Sequence, residues 1–291
     1  MNLYVIGSTG VIGSELFEKL KLSSHNVVGT YSKSEEIGKI KVDINESSDR
    51  NRLINIINKD DVVYLMAAYS NPSWIKQNQN EAKKLNLLST INLIEKIADK
   101  GAKIVFMSSV EVFDGKKGGY IEEDKPNPLN LYGIMKYEVE KMLNTIENSV
   151  IVRTGWNVGR EKFERCVIRL TYKSLLEKNA RMAEDNEFSI VSTEDTSRSL
   201  IKIAEENFKG TIHIANDKKL KRTELADYII KNSDRGSQMG YTKCMFKEIV
   251  YSEPRGLRND LNNEKSKISI GVHYSENDEV IKNKIRLLDE Q

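Results

Sequence analysis

Short apolar runs alternate with stretches of helical periodicity through the first half of this chain. Leu3–Ile6, Asn26–Tyr31, Lys39–Val42, Asp61–Ala68, Ala102–Met107 and Ser149–Arg153 read as strands, most of the continuously hydrophobic kind that both faces of a sheet bury. Between them, Ser14–Leu22, Gln79–Lys100 and Leu131–Asn144 read as helices. In the long second one, Leu85, Leu88, Ile91, Ile94, Ile97 and Ala98 recur at helical spacing. This alternation predicts repeated βα units and a parallel sheet. Beyond Thr154 the rhythm loosens: Lys162–Lys178, Ser197–Asn207 and Arg222–Asn232 carry helical patterning, and Thr211–Ala215 reads as one more strand. We therefore expect a sheet domain over residues 1–158, completed by about 190–216. A smaller, discontinuous C-terminal cap is expected from 159–189 and 217–291.

Composition narrows the class. The 291 residues carry 45 basic and 43 acidic side chains, a net charge of +2 that offers no field for nucleic acid. Three scattered histidines, and two cysteines far apart at positions 166 and 244, form neither a zinc spacing nor a disulfide framework. No metal site is expected, the cysteines are expected to be inert, and a reducing cytoplasm is the expected location. No basic leader precedes the first strand, and no apolar run nears the ~20 residues of a membrane span.

Gly7, Gly10 and Gly13 fall between the first strand and the first helix, in Gly7-Ser-Thr9-Gly10-Val11-Ile12-Gly13. That context gives the spacing its meaning. One glycine permits the turn, another lets backbone approach a pyrophosphate, and a third lets helix and strand pack closely. The fold class expected is thus α/β, a Rossmann-type doubly wound parallel sheet with the cap described above. The second strand runs out into Thr30-Tyr-Ser32-Lys33-Ser34 with no acid until Glu35. Hydroxyls beside a lysine suit the 2′-phosphate of NADP(H) better than a bare ribose, which an acid would hold. A solvated loop cation is the ordinary alternative for Lys33. Asp43 and Ile44, ending the third strand, suit the edge and face of an adenine, although Asp at a strand end is also a common turn residue.

Tyr132 and Lys136 stand four apart at the start of a helix and so share a face. Ser108 and Ser109 end the fifth strand, at the sheet edge where ligands bind. A ketone accepting hydride needs a proton for its developing alkoxide. A phenol can give it if a neighbouring ammonium lowers its pKa, while a serine hydroxyl polarises the carbonyl.

These residues resemble the extended short-chain dehydrogenase/reductases, and within them the dTDP-4-dehydrorhamnose reductase group of nucleotide-sugar enzymes. The segments that carry the likeness are the glycine turn; Met66-Ala67-Ala68-Tyr69-Ser70; Asn86; Met107-Ser-Ser109-Val110-Glu111-Val-Phe-Asp-Gly115; Glu123-Asp-Lys-Pro126; Tyr132-Gly-Ile-Met-Lys136; and Arg153-Thr-Gly-Trp156. Pro254-Arg255-Gly-Leu257 looks like the group's arginine-proline-leucine element with its first two residues transposed. The resemblance implies reduction by NADPH of a C4 ketone on a nucleotide-linked sugar, in surface glycan synthesis. Ser109 then corresponds to the group's catalytic Thr or Ser, Tyr132 to the proton donor, and Lys136 to the residue that holds the nicotinamide ribose. Ala67, Ala68 and Tyr69 fall on the cofactor side; Ser70, Val110, Glu111, Trp156 and Arg255 fall on the substrate side. Where the group typically reads Asp-Tyr, this chain has Val110-Glu111, and residues 159–185 show little of its pattern.

Trp74, in what reads as a loop, either flanks the sugar or packs on its own scaffold. Arg160, Lys162, Arg165 and Arg169 either meet a diphosphate or form a solvated helix face with Glu161 and Glu164. Arg255 and Arg258 are the better diphosphate candidates. Glu111, two positions from Ser109 on an extended segment, would share its face and keeps a dehydratase open beside a reductase; a 4-epimerase is a third reading. A non-catalytic NADP-binding regulatory subunit is the alternative from another class, since the beta subunit of methionine adenosyltransferase resembles the same group. A homodimer paired through the long helices also stays open.

Overall fold

The computed structural model describes residues 1–290 except 34, 36, 161–164 and 178–179. Six strands arise in the first half: β1 (Asn2–Ile6), β2 (Asn26–Tyr31), β3 (Lys39–Lys41), β4 (Val62–Leu65), β5 (Lys103–Met107) and β6 (Ser149–Thr154). The chain leaves the sheet through β7 (Trp156–Val158), β8 (Arg181–Ala183), β9 (Glu187–Phe188) and β10 (Ile190–Ser192), then returns as β11 (Gly210–Ile214). The sheet order is β11-β6-β5-β4-β1-β2-β3, and every neighbouring pair is parallel. This is the doubly wound architecture that the alternation predicts.

Adjacent residues of one strand serve opposite cores, which is why the strands read as unbroken apolar runs. Leu3 and Val5 join α1 (Val11–Lys21) on one face, with Leu16, Phe17 and Leu20. Tyr4 and Ile6 face the other side, where α2 (Ser47–Ile56) supplies Leu53 and Ile54. That second face is completed by α5 (Thr90–Lys100) through Leu93, Ile94 and Ile97, and by α6 (Leu131–Leu143) through Val139 and Leu143.

Trp74 and the long helix depart from the expected pattern, β4 is shorter than its apolar run, and the helix expected from Ser197 begins at Thr193. Trp74 lies not in a loop but in a short helix, α3 (Pro72–Gln77). Asn71 caps it by accepting from the amides of Ser73 and Trp74, and Pro72 occupies its first turn. The long helix is α4 (Gln79–Lys83) joined to α5 by a π-helical turn over Lys84–Ser89. The wider turn slips the register, so Leu88 is 63% exposed while Asn86 is buried.

The C-terminal pieces meet in a separate apolar cluster. It is built from α7 (Val167–Leu175), α9 (Arg222–Asn232) and α11 (Asn277–Asp289), with Phe188 and Ile190. α8 (Thr193–Glu205) and α10 (Glu264–Ile270) instead pack under the sheet, where Leu200, Ile203 and Ile270 are buried, so the part of the expected cap around 264–272 belongs to the sheet domain's core. The strand pairings here are short. β9 lies between β12 (Leu220–Lys221) and β14 (Arg258–Asn259), β13 (Thr242–Cys244) pairs with β8, and β10 pairs with β7. Both cysteines are buried free thiols.

Candidate active site

A cleft of about 380 Å³ opens at the C-terminal ends of β1, β4, β5 and β6. Gly10, Val11, Ile12 and Gly13 line it from the glycine turn; Ala68 and Ser70 line it from the segment after β4. Ser109, Val110 and Glu111 come from the exit of β5, Tyr132 and Lys136 from α6, and Trp156 from β7. Arg165, Arg255 and Asn259 close it from the C-terminal pieces.

The glycine turn has the shape its spacing predicts. Gly7 has φ +89, and a Cβ there would lie 2.8 Å from the Ala67 backbone. A Cβ on Gly13 would lie 2.3 Å from the Gly7 carbonyl oxygen, so helix and turn touch only because Gly13 lacks one. Gly10 caps α1 without a side-chain hydrogen bond, and no acidic residue sits in the first turn. The amides of that turn are therefore open to an anion, the donor set that a dinucleotide pyrophosphate requires.

Other residues assigned to the cofactor surround this turn without lining the cleft. Thr9, Ser32 and Lys33 are exposed. Lys33 places its ammonium 5.8 Å from the Tyr69 ring centroid, and that ring packs at a tilt against Trp74, with centroids 4.2 Å apart. Asn86 clamps Tyr69, accepting from its amide at 2.9 Å and donating to its carbonyl at 2.8 Å. Asp43 accepts from the Asn45 amide, the turn role open to any strand-end Asp. Ile44, 4% exposed, packs in the core beneath.

The chemical corner is held from two directions. Asn130 caps α6 by accepting from the Gly133 amide, which fixes where Tyr132 begins the helix. A Cβ on Gly133 would lie 2.0 Å from the Glu111 carbonyl oxygen, so the glycine lets the helix press against the β5 exit. Tyr132 thereby comes within hydrogen-bonding reach of Ser109. Enclosure in the cleft, and then the Glu111 carboxylate, push its phenol above the usual range. This reverses the expectation that Lys136 lowers it: burial and the Glu111 carboxylate raise it, against a lowering hydrogen bond from Ser109. Lys136 donates to the Met107 carbonyl at 2.7 Å, and burial pulls its pKa down to about 8. Its ammonium lies 5.7 Å from the Tyr132 ring centroid.

Glu111 does not share an extended face with Ser109. Ser109 caps a 3₁₀ turn over Val110–Val112, accepting from the Glu111 amide at 3.2 Å. The turn swings the Glu111 carboxylate across the cleft, where Asn130 donates to it at 2.7 Å and Arg255 at 3.3 Å. Arg255 is thus an internal ion pair rather than a free cation. Its loop is seated by a glycine pair, since a Cβ on Gly115 would lie 2.3 Å from the Gly256 Cα. Arg255 depresses the pKa of both Arg165 and Arg222, after burial as the larger cause. Arg222 lies over the Trp156 ring and Arg255 over the Tyr251 ring, while Arg165 lines the cleft near Arg255. The basic cluster expected around 160–169 divides: Arg160 pairs with Glu15 and Glu194, Arg165 enters the cleft, and Lys162 lies outside the described residues.

Sequence reasoning missed Asn130, Gly133 and Arg222. Asn130 carries a legible signal, an N-cap residue at a helix start after a proline-bearing loop. Arg222 carries none.

The fold, the glycine turn and the Ser109–Tyr132–Lys136 corner define a Rossmann-type protein of the extended short-chain dehydrogenase/reductase kind. The chain belongs to the family described as RmlD substrate binding domain, which matches residues 1–288. It is 27% identical over 233 residues to methionine adenosyltransferase 2 subunit beta of Rattus norvegicus, covering 76% of this chain and 69% of that one. Among solved structures it is similar to a dTDP-4-dehydrorhamnose reductase from Clostridium acetobutylicum, with 25% identity, TM-score 0.85 and 99% of each chain covered. It also shares the fold of a Bacillus anthracis dTDP-4-dehydrorhamnose reductase solved in complex with NADP. That likeness has 20% identity and TM-score 0.83, covering 100% of this chain and 99% of that one.

Proposed function

We propose that this chain is an NADP-dependent oxidoreductase that reduces the C4 ketone of a nucleotide-activated sugar for surface glycan synthesis in the cytoplasm. The observation that carries this reading is the convergence of the uncapped first turn of α1 with Ser109, Tyr132 and Lys136 in one cleft. The bound dinucleotide supplies hydride. Residues 10–13 and Lys33 hold its phosphates, Ser109 donates a hydrogen bond to the sugar carbonyl, and Tyr132 gives that oxygen its proton. A phenol with a raised pKa stays protonated at neutrality and so remains a donor. Lys136 spends one donor on Met107; an ammonium keeps two more for the nicotinamide ribose. Arg165, Arg222 and Arg255 gather in the proposed substrate-binding cap of residues 159–189 and 217–291, and suit a diphosphate. No helix among the described residues is long and apolar enough to cross a membrane.

The test is oxidation of NADPH, followed at its nicotinamide absorbance, with a panel of nucleotide 4-keto-sugars and with NADH in parallel. Turnover preferring NADPH is the expected result. Similarity to a subunit of another enzyme favours one second reading, a regulatory NADP-binding subunit. No turnover with any sugar, together with tight NADP binding, selects it. A homodimer through the long helices belongs to the same proposal, with Leu88 and Ile134 exposed on them; light scattering decides it.

A further inference from the structure

Below the chemical corner lies a buried polar cluster to which the reaction assigns nothing. Tyr132, Lys136 and Glu140 are spaced i, i+4, i+8 and share one face of α6. Glu140 is 0% exposed. Its carboxylate accepts from Arg153 of β6 through Nε at 3.1 Å and Nη2 at 2.8 Å, and from the Ser108 hydroxyl. Arg153 is 4% exposed; it also donates to the Glu122 carbonyl, and its second terminal nitrogen lies at 3.5 Å from the His213 ring.

A buried ion pair is weak evidence for stability, because desolvation offsets most of its attraction. What this one touches is informative. Ser108 links Met107, whose carbonyl receives Lys136, to Ser109, whose hydroxyl sits beside Tyr132. Its amide is already held by the Val152 carbonyl at 2.7 Å, and its hydroxyl by Glu140. One carboxylate thus grips the segment that carries both the lysine's anchor and the catalytic hydroxyl, from the helix that carries the tyrosine and the lysine. Relative motion of β5 and α6 would separate Ser109 from Tyr132.

Resting on the reductase reading, we infer that Glu140, braced by Arg153, is a positioning residue that locks the β5 exit to α6 through Ser108 and holds the Ser109–Tyr132–Lys136 geometry. Glu140 also favours the charged form of Lys136. On its own helix that ammonium faces Tyr132 and Glu140; Glu111 from the β5 exit and Arg255 from the C-terminal loop line the same cleft, and Arg153 from β6 reaches the Glu140 carboxylate.

The experiment compares wild type, Ser108→Ala, Glu140→Gln and Glu140→Asp, with NADPH binding by fluorescence as the control for folding. Ser108→Ala leaves the ion pair intact and is expected to lower kcat about tenfold, the effect of one hydrogen bond on the barrier, with KM within about twofold. Glu140→Gln is expected to shift the alkaline limb of kcat/KM to lower pH, and Glu140→Asp to restore the limb in part. Should Glu140→Gln fail to fold, Ser108→Ala decides the matter alone. A folded Ser108→Ala enzyme with wild-type kcat overturns the positioning role and leaves the reductase reading standing. Absence of wild-type turnover on every sugar overturns both.

Discussion

The two walls of the cleft are built by different physics. The sheet-side wall consists of strand ends and two helix starts whose polar groups are tied locally. Asn130 caps its own helix, Ser109 caps the turn that follows it, and Asn86 grips Tyr69 across seventeen positions. The opposite wall is assembled from distant pieces. Trp156, Arg165 and Arg255 line it from three separate segments, with Arg222 over the Trp156 ring, and the strand pairings here run over only two or three residues. Chemistry that must be exact to a fraction of an ångström sits on long elements that fold as units. On the proposed reading, recognition falls on short pieces that can differ without disturbing the sheet.

If that contrast is real, substitutions on the sheet wall should cost turnover and those on the other wall should cost affinity. Tyr132→Phe removes the proposed proton donor and is expected to lower kcat about 1,000-fold with NADPH affinity within about twofold; steady-state kinetics with fluorescence titration checks it. Arg255→Ala is expected to raise the KM for the nucleotide sugar roughly 30-fold, the size of a lost charge-assisted contact, with kcat nearly unchanged. A comparable fall in kcat there would erase the distinction between the walls.

The pH dependence gives a smaller, graded effect. In the proposed reaction Lys136 acts as the ammonium, and burial lowers its pKa to about 8. Its useful form is therefore complete below that value and lost above it. kcat/KM should fall about tenfold per pH unit on the alkaline side, and because the Tyr132 phenol titrates higher still, the limb belongs to the lysine. Lys136→Met should abolish that limb. The smallest effect is expected at the rim: Lys33→Ala should weaken NADPH binding about fivefold and leave NADH binding unchanged, since an exposed cation contributes little.

Most of the first half was legible because strands and helices there announce themselves by period and punctuation. β2 occupies the residues its pattern marks, and α6 begins at Leu131 as expected. The segment of α3 was misread, although Asn71-Pro72 spells a cap and a first turn, because tryptophan after proline was given a loop's meaning. The π-turn at Lys84–Ser89 was not legible. A one-residue widening leaves the apolar spacing nearly intact while rotating Leu88 outward and Asn86 in.

The lowered tyrosine pKa failed for a related reason. Sequence spacing puts an ammonium near a phenol, but it says nothing of how much water either retains. Glu111 shows the same limit, since the 3₁₀ turn that sends its carboxylate to Arg255 depends on Ser109 capping it and on Gly133 yielding space.

By itself, then, the sequence determined what local forces decide: the parallel sheet from its apolar period, the phosphate turn from three glycines between strand and helix, and one face of a helix from the spacing of Tyr132 and Lys136. Only the tertiary structure decided which charges meet and how dry they are. Arg222 beside Arg255, Glu140 beneath Lys136 and Glu111 against Arg255 are contacts set by packing between elements or by the protonation state that burial imposes. Local patterning carries no information about either, because desolvation and long-range pairing are properties of the assembled interior.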